Sequence, residues 1–545
     1  MNKVGIGILC NSMRLLKWEA DIIRDLHTHE CCQVRGFIIY QNVRPTIETH
    51  MLDGSRIAWK VACLIEALLF HSKGITVDKY IDIEKEFEQT PKLLLTTDPE
   101  KPSSRNRFRD ADIEKCRNFD CDILINFGLS ELHGDILGVP RLGIWSYHFA
   151  DNRVNKGMPP GFWEFYYDDP VTGVTLQSAD LGGGKVLARG FYQTNRYSWR
   201  LNAESIYVKG SHLLMDKVME FCQLGDVSVI REEFPDVYGG LSKKQPHVTH
   251  CIIAITKTIY RSAGLLIEKL VFRHVWELII SRRDRSPLEL GGFDRVKPPR
   301  GRFWADPFIM EREGGVYVFL EEYKFRSKKG EIAVIKMEGV KVASYQTVIS
   351  VDYHLSFPYI FEFEGELFMC PETSENNTVE VWKCNRFPDV WKKERELLKN
   401  VSAADTVIFQ YCDKWWLFTN IDRSERKDHC YELWAFYADH PINGPWIPHG
   451  RNPLIVDTRC ARNAGKVRWY DGLGLVRLSQ INKRGYGSGI DIRRITKLDD
   501  KCYDEESIRK LRPIWDKMLI GLHHCDVSEN YVVFDVCRKR LRLFS

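Results

Sequence analysis

The chain of 545 residues is longer than one hydrophobic core sustains, so two or three domains are expected. Its composition, 44% hydrophobic and 12% aromatic with 15 Trp, excludes a disordered chain, and a formal charge of +4 from 78 basic against 74 acidic residues excludes the basic footprint of a nucleic-acid binder. The 16 cysteines are scattered, with only Cys31 and Cys32 close together and no knuckle spacing, so they read as free thiols and no metal site is expected.

In chain order, the stretch Met1 to Cys10 carries one charge and is followed at once by Asn11, Arg14 and Lys17, so it reads as a first buried strand rather than a leader. Apolar runs at Val34 to Tyr40, Cys121 to Phe127 and Leu142 to His148 alternate with helical spacing such as Arg14 to His27, the pattern of a mostly parallel sheet covered by helices over residues 1–195. Leu201 to Ile230 reads as helical and Pro235 to Pro246 as a linker, making 196–284 a connecting region. The most apolar later window, Cys251 to Leu270, is broken by Lys257, Arg261, Glu268 and Lys269, so no integral membrane segment and a cytoplasmic location are expected.

The densest chemical signal lies in the runs Asp122 to Gly128, Gly138 to His148, Thr172 to Leu176 and Gly182 to Leu187. In this order they resemble the core of the folate-dependent formyltransferases, which place an Asn and a His two residues apart at a strand end, then a loop, a Thr-Gly-Val-Thr strand and an Asp in a Gly-rich turn. The resemblance implies an α/β Rossmann-like formyltransferase fold and 10-formyltetrahydrofolate as donor. His148 would then be the acid/base and oxyanion partner. Ser146 stands where the family has Asn and offers one hydroxyl in place of an amide. Asp180 is displaced by two residues, ~7 Å along a strand. Three readings stay open: a looser turn returns Asp180, Asp151 with Asn152 substitutes for it, or formyl transfer has been lost. Phe162 and Trp163 are candidate pocket-lining residues.

After residue 285 a unit recurs, in which a small or acidic residue, an apolar strand, a Gly or Asp turn and an aromatic strand follow one another. Copies run from Ala305 to Phe319, Phe357 to Met369 and Ala404 to Phe418, with weaker ones near Arg462 and His523. A spacing of roughly 45 to 60 residues fits one four-stranded blade per copy, so 285–545 is expected to form an all-β five-bladed propeller.

Asp306 and Asp405 stand at matching points of their blades, where the first strand is expected nearest the axis, and Glu372 and the Glu321-Glu322 pair end later strands. Two carboxylates across a sugar can run acid/base chemistry. This layout resembles five-bladed glycoside hydrolases of the arabinanase and fructanase type, and Phe303 to Phe308 is similar to the propeller-like part of plant glucosamine inositolphosphorylceramide transferases. Arg459 and Arg462 are expected to contact a phosphate or nucleotide-linked sugar, and Trp304, Trp415, Trp416, Trp446 and Trp469 suit stacking on sugar rings.

The leading expectation is therefore an enzyme that moves a formyl group from 10-formyltetrahydrofolate to an amino sugar, sugar nucleotide or glycan, with the propeller recognising the glycan. The second is a glycan-directed glycosyltransferase or glycoside hydrolase whose chemistry sits on Asp306, Asp405 and Glu372, the first domain being a degenerate scaffold. The third is a glycan-binding protein without catalysis.

Overall fold

The computed structural model describes residues 3–40, 53–70, 76, 79–95, 108–128, 132–151, 153–154, 158–229, 246–282 and 292–542. Asn152 and nearly all of the expected linker lie outside these residues. The chain divides into two compact units, Met1–Ala263 and Gly264–Ser545.

In the first unit a seven-stranded sheet runs in the order Lys92–Leu95, Cys32–Tyr40, Val4–Cys10, Ile123–Asn126, Ile144–His148, Val171–Asp180, Gly183–Gln193. The first five strands are parallel, the sixth runs against them, and the seventh pairs antiparallel with the sixth. Val4–Cys10 is buried at every position, which is why it reads as an unbroken apolar run and lies inside the sheet with both faces covered. Helix Lys17–Thr28 turns Ala20, Ile23 and Leu26 inward. The mixed α/β character expected of this half is thus present.

Two further helices, Asp53–Leu69 and Val248–Val271, are tied together from within. Glu66 on the first is fully buried and accepts hydrogen bonds from Ser198 Oγ at 2.6 Å, Thr258 Oγ1 on the second helix at 3.0 Å and Arg200 N at 3.2 Å. Ala62 packs in one cluster with Cys251 and Ala254. Burial pushes the Glu66 carboxyl up to about 7 despite its three donors. Among the described residues no helix is long and apolar enough to cross a membrane.

The second unit is a five-bladed propeller. Blade 1 is built from Arg302–Arg312, Gly315–Lys324, Lys329–Glu338 and Lys341–Ile349, and blade 2 from Ser356–Phe363, Glu366–Thr373, Thr378–Arg386 and Val390–Lys399. Blade 3 takes Ala403–Tyr411, Lys414–Ile421, Glu432–Ala438 and Ile447–Pro448; blade 4 takes Arg468–Tyr470, Gly474–Gln480, Ile490–Leu498 and Tyr503–Leu511. Blade 5 joins the two ends of the unit, since Tyr531–Leu541 pairs along its whole length with Phe272–Arg282, a strand that precedes blade 1.

An ion cluster locks that joint. Glu277 on the early strand is fully buried and meets Arg538 at 3.2 Å and Arg540 at 2.7 Å on the late strand, together with Arg295. Neutralising the anion leaves three guanidinium groups around an uncharged centre. Glu277→Gln is therefore expected to lower unfolding free energy by about 2 kcal/mol in urea titration, with little change in a Glu268→Gln control on the solvent side.

The inner strands share one irregularity. Pairing slips between Ala305 and Phe308, between Ser356 and Tyr359, and between Ala404 and Val407. Within the slips Asp306, Phe357 and Asp405 adopt left-handed backbone, with φ of 51°, 45° and 50°. Non-glycine residues rarely hold this conformation, and bulges of this kind re-aim a side chain.

Candidate active site

Asp306 is the centre of the constellation. Its backbone N–H donates to Asp535 Oδ2 at 2.9 Å, and its Oδ2 accepts from Phe357 N at 3.3 Å, so blades 5 and 2 both fix it. His523 bridges the two aspartates, with Nε2 at 3.4 Å from Asp306 Oδ1 and Nδ1 at 2.8 Å from Asp535 Oδ2. Asp535 also accepts from the backbone N–H groups of His523 and His524 at 3.2 and 2.9 Å. All three bridged side chains are buried, and their oxygen and nitrogen atoms lie within 4.8 Å of one another.

This geometry divides the protons. Burial, the largest influence, works against the His523 cation, yet the aspartates on both sides hold the imidazole above the ordinary histidine value. The many donors to Asp535 keep its carboxyl below the usual carboxylate range in spite of burial. Asp306 receives less compensation, and burial pushes it up to about 8. The cluster thus favours charge on the His523–Asp535 pair and the proton on Asp306.

A cavity of about 240 Å³ opens onto Asp306 and His523 and is further lined by Glu321, Glu372, Arg462, His354, Trp276, Phe303, Tyr323 and Tyr486. Glu321 lies 3.4 Å from His354 Nε2, and burial raises its carboxyl well above the usual range. Glu372 Oε1 accepts from Ser374 Oγ at 2.7 Å, whereas Oε2 is buried, accepts no hydrogen bond and stands 3.6 Å from Arg462 Nη2. Trp276 lies tilted against His523 with centroids 4.0 Å apart, and Phe303 stacks on Tyr323 at 4.7 Å. Half-exposed Tyr486 lies against the Arg462 guanidinium at 5.0 Å and marks the open side.

Asp405 does not line the cavity. It receives the Arg462 fork, Nε to Oδ2 at 2.6 Å and Nη2 to Oδ1 at 3.1 Å, and a bond from Gln480 at 3.1 Å, so it holds the arginine in place from behind. The expected arginine pair is not aimed at an anion either, because Arg459 forks onto Asp457 at 2.6 to 2.9 Å. With three carboxyls and one neutralised guanidinium in its lining, the pocket offers hydrogen-bond partners to hydroxyl groups.

In the first unit Asp180 stands apart from Ser146 and His148. His148 pairs across the sheet with Thr175 and Ser146 with Gln177, while Asp180 follows Ala179, the partner of Ile144 at the far end of the same strand. Asp180 is therefore five residues, ~17 Å, along the strand from the position facing His148. It is engaged with Lys185 at 2.8 Å, whose hydrogen bond holds its carboxyl below the usual range. Asp151 is held by an Arg153 fork at 2.9 Å on each oxygen, which outweighs burial and keeps it ionised. Phe162 and Trp163 are buried against Trp199 and Ala62.

His523, Asp535, Trp276 and His354 escaped sequence reasoning. The paired histidines at the start of the fifth copy were the one available signal, and Trp276 lay upstream of any recognised repeat.

Residues 296–519 match the sequence family described as "Glucosamine inositolphosphorylceramide transferase 1, N-terminal". A curated relative, glucosamine inositolphosphorylceramide transferase 1 of Arabidopsis thaliana, is 31% identical over 241 residues, which cover 42% of this chain and 30% of the relative. The chain thus spans less than a third of the relative's length. Among solved structures, the catalytic domain of a Coprinopsis cinerea GH62 α-L-arabinofuranosidase is similar over 45% of this chain and 93% of its own, at 10% identity and TM-score 0.33. A glycinamide ribonucleotide transformylase of Symbiobacterium toebii is similar over 40% of this chain and 88% of its own, at 14% identity and TM-score 0.27.

Formyl transfer, the leading expectation from sequence, is corrected on these findings. The sequence match falls on the propeller, its relatives are named for a sugar and a sphingolipid, and no folate-handling protein is among the sequence relatives. With it goes the reason to expect 10-formyltetrahydrofolate at His148. What the chain shares with the matched family is the propeller segment that carries Asp306, Glu321, Glu372, Asp405 and Arg462.

Proposed function

We propose that the propeller pocket is a carbohydrate-active site that makes or breaks a glycosidic bond, as a glycan-directed glycosyltransferase or glycoside hydrolase. The observation that carries this reading is one carboxyl that burial holds protonated, Asp306, and one carboxyl with an oxygen that accepts no hydrogen bond, Glu372, lining the same cavity from adjacent blades. Asp306 gives its proton to the glycosidic oxygen as the C–O bond breaks. The incoming hydroxyl, of water or of an acceptor sugar, loses its proton to Glu372 as the new C–O bond forms. The His523–Asp535 pair holds Asp306 in position, and Trp276, Phe303 and Tyr323 offer faces on which a sugar ring can stack.

The relative's name couples glucosamine to an inositolphosphorylceramide, which supports an amino-sugar or glycolipid substrate here. The N-terminal unit is proposed as a scaffold derived from a Rossmann-like formyltransferase fold and inactive in that chemistry, a reading supported by its motif order and strand order alone. The test is incubation of the full chain with aryl glycosides and with labelled sugar nucleotides plus inositol-containing acceptors, comparing wild type with Glu372→Gln. Turnover that disappears in the variant supports the proposal. Binding of glycans with no turnover by either protein would leave a lectin.

The protonated acid sets a pH signature. Turnover is expected to fall as pH rises through about 8, when Asp306 loses its proton. Stability follows the same sign: above the ordinary carboxylate range the unfolded chain has released a proton that the folded cluster still binds, so unfolding free energy falls as pH rises toward about 8. Urea titrations at several pH values should show this slope in wild type and a flatter one in Asp306→Asn.

A further inference from the structure

The proposed reaction leaves two residues of the cavity lining without a role, Glu321 and His354, and a glycine ties them together. Gly330 lies in Lys329–Glu338 opposite Tyr323, and Tyr323 shares its face of the neighbouring strand with Glu321. The backbone N–H of Gly330 donates to His354 Nδ1 at 2.9 Å. A Cβ on Gly330 would stand 2.7 Å from both Glu321 Oε1 and His354 Cε1, so a larger residue would push the pair apart. From the loop after the next strand pair, Glu375 accepts from the His354 backbone N–H at 2.7 Å.

These contacts fix the place of one proton. Burial lowers His354 below the ordinary histidine value against the pull of Glu372 and Glu375, and the neutral ring it favours carries a single N–H. Nδ1 is occupied as an acceptor, which puts that hydrogen on Nε2. Glu321 Oε1 is 3.4 Å from Nε2, longer than an N–H···O bond prefers, but an oxygen about 2.8 Å from each atom would close the triangle. The Tyr323 ring, stacked on Phe303 and 6.1 Å from the imidazole, borders the same place. We infer that His354 and Glu321 are the specificity-determining pair of the pocket, gripping one hydroxyl group of a sugar whose ring lies on the aromatic side chains beside them. Nε2–H donates to the hydroxyl oxygen, and the hydroxyl donates to the Glu321 carboxyl. This selection rests on the carbohydrate-active reading above and adds to it the residues that choose the sugar.

The test compares wild type, His354→Asn and His354→Gln as full chains for binding and turnover of nitrophenyl glucoside, nitrophenyl galactoside and their monodeoxy analogues, with folding checked by circular dichroism. Asn keeps an acceptor for Gly330 N and has no donor at the place of Nε2, whereas Gln restores a donor there. In His354→Asn, KM for the preferred glycoside is expected to rise at least ~10-fold with kcat changed far less, and the wild-type penalty for removing one particular hydroxyl is expected to vanish. His354→Gln should recover part of that preference. A hydroxyl preference that persists in His354→Asn overturns the selection and leaves the carbohydrate-active site standing. Long-range hydrogen–nitrogen NMR that finds the His354 proton on Nδ1 overturns it without any ligand. Wild type that neither binds nor turns over any of these glycosides overturns the carbohydrate reading and the selection with it.

Discussion

Asp306→Asn is expected to lower kcat by about a thousandfold on any substrate the propeller turns over, with KM changed far less. The amide fills the same space and can still accept from Phe357 N, so the bulge and its left-handed backbone are kept. What it lacks is a proton that can be given up. The aspartate is buried, touches His523 and faces the cavity, and burial keeps it protonated at the pH where its neighbours Asp535 and Asp405 are held by cations. Measurement of kcat and KM separately, with folding confirmed by circular dichroism, distinguishes loss of the acid from loss of the pocket. Asp405→Asn makes the contrast: it touches Arg462 and not the cavity, so its effect should appear mainly in binding.

Arg477→Ala is expected to cost about 3 to 5 kcal/mol in unfolding free energy and, at working temperature, to remove activity as well. This arginine is fully buried in blade 4, and its five donor positions are all used. Nε and Nη2 fork onto Glu505 at 2.8 and 2.7 Å, Nη2 also donates to Cys460 O at 2.7 Å, and Nη1 donates to Ala461 O at 3.1 Å and Asn463 Oδ1 at 3.2 Å. Truncation leaves a buried carboxylate and two backbone carbonyls short of donors, and opens a cavity in the blade. Because the anchored segment 460–463 presents Arg462, the disturbance reaches the pocket. Urea unfolding measures the first effect, and the kcat of whatever variant remains folded measures the second.

The propeller was legible because each of its first three blades is a local object. Ala305 to Phe319, Phe357 to Met369 and Ala404 to Phe418 each contain an inner strand, a tight turn and an aromatic strand within about 15 residues, a periodicity that sequence alone displays. Blade 4 was fainter because its inner strand, Arg468–Tyr470, has three residues. Blade 5 was harder still, since the pairing of Phe272 with Leu541 joins residues at opposite ends of the unit and leaves no periodic trace. The same non-local closure hid Trp276, and it hid the partnership of His523 with Asp306.

Asp306 and Asp405 illustrate a second limit. They occupy equivalent bulges, so sequence treated them alike, yet one faces the cavity and the other is capped by Arg462 from blade 4. Which of two equivalent carboxyls is open depends on side chains contributed by neighbouring blades. In the first unit the strands lie where the apolar runs place them, while the order of the motifs carries no information on distance. The register between Ile144–His148 and Val171–Asp180 puts His148 and Asp180 at opposite ends of their strands, a separation that motif order cannot show.

The proposed chemistry requires a sugar to be transformed in the propeller pocket. The most direct measurement is turnover by the full chain across aryl glycosides and labelled sugar nucleotides, run side by side for wild type, Asp306→Asn and His148→Ala. Loss of turnover in Asp306→Asn with near wild-type rates in His148→Ala is the predicted result. Activity that survives in Asp306→Asn and vanishes in His148→Ala would contradict it and return the chemistry to the N-terminal sheet.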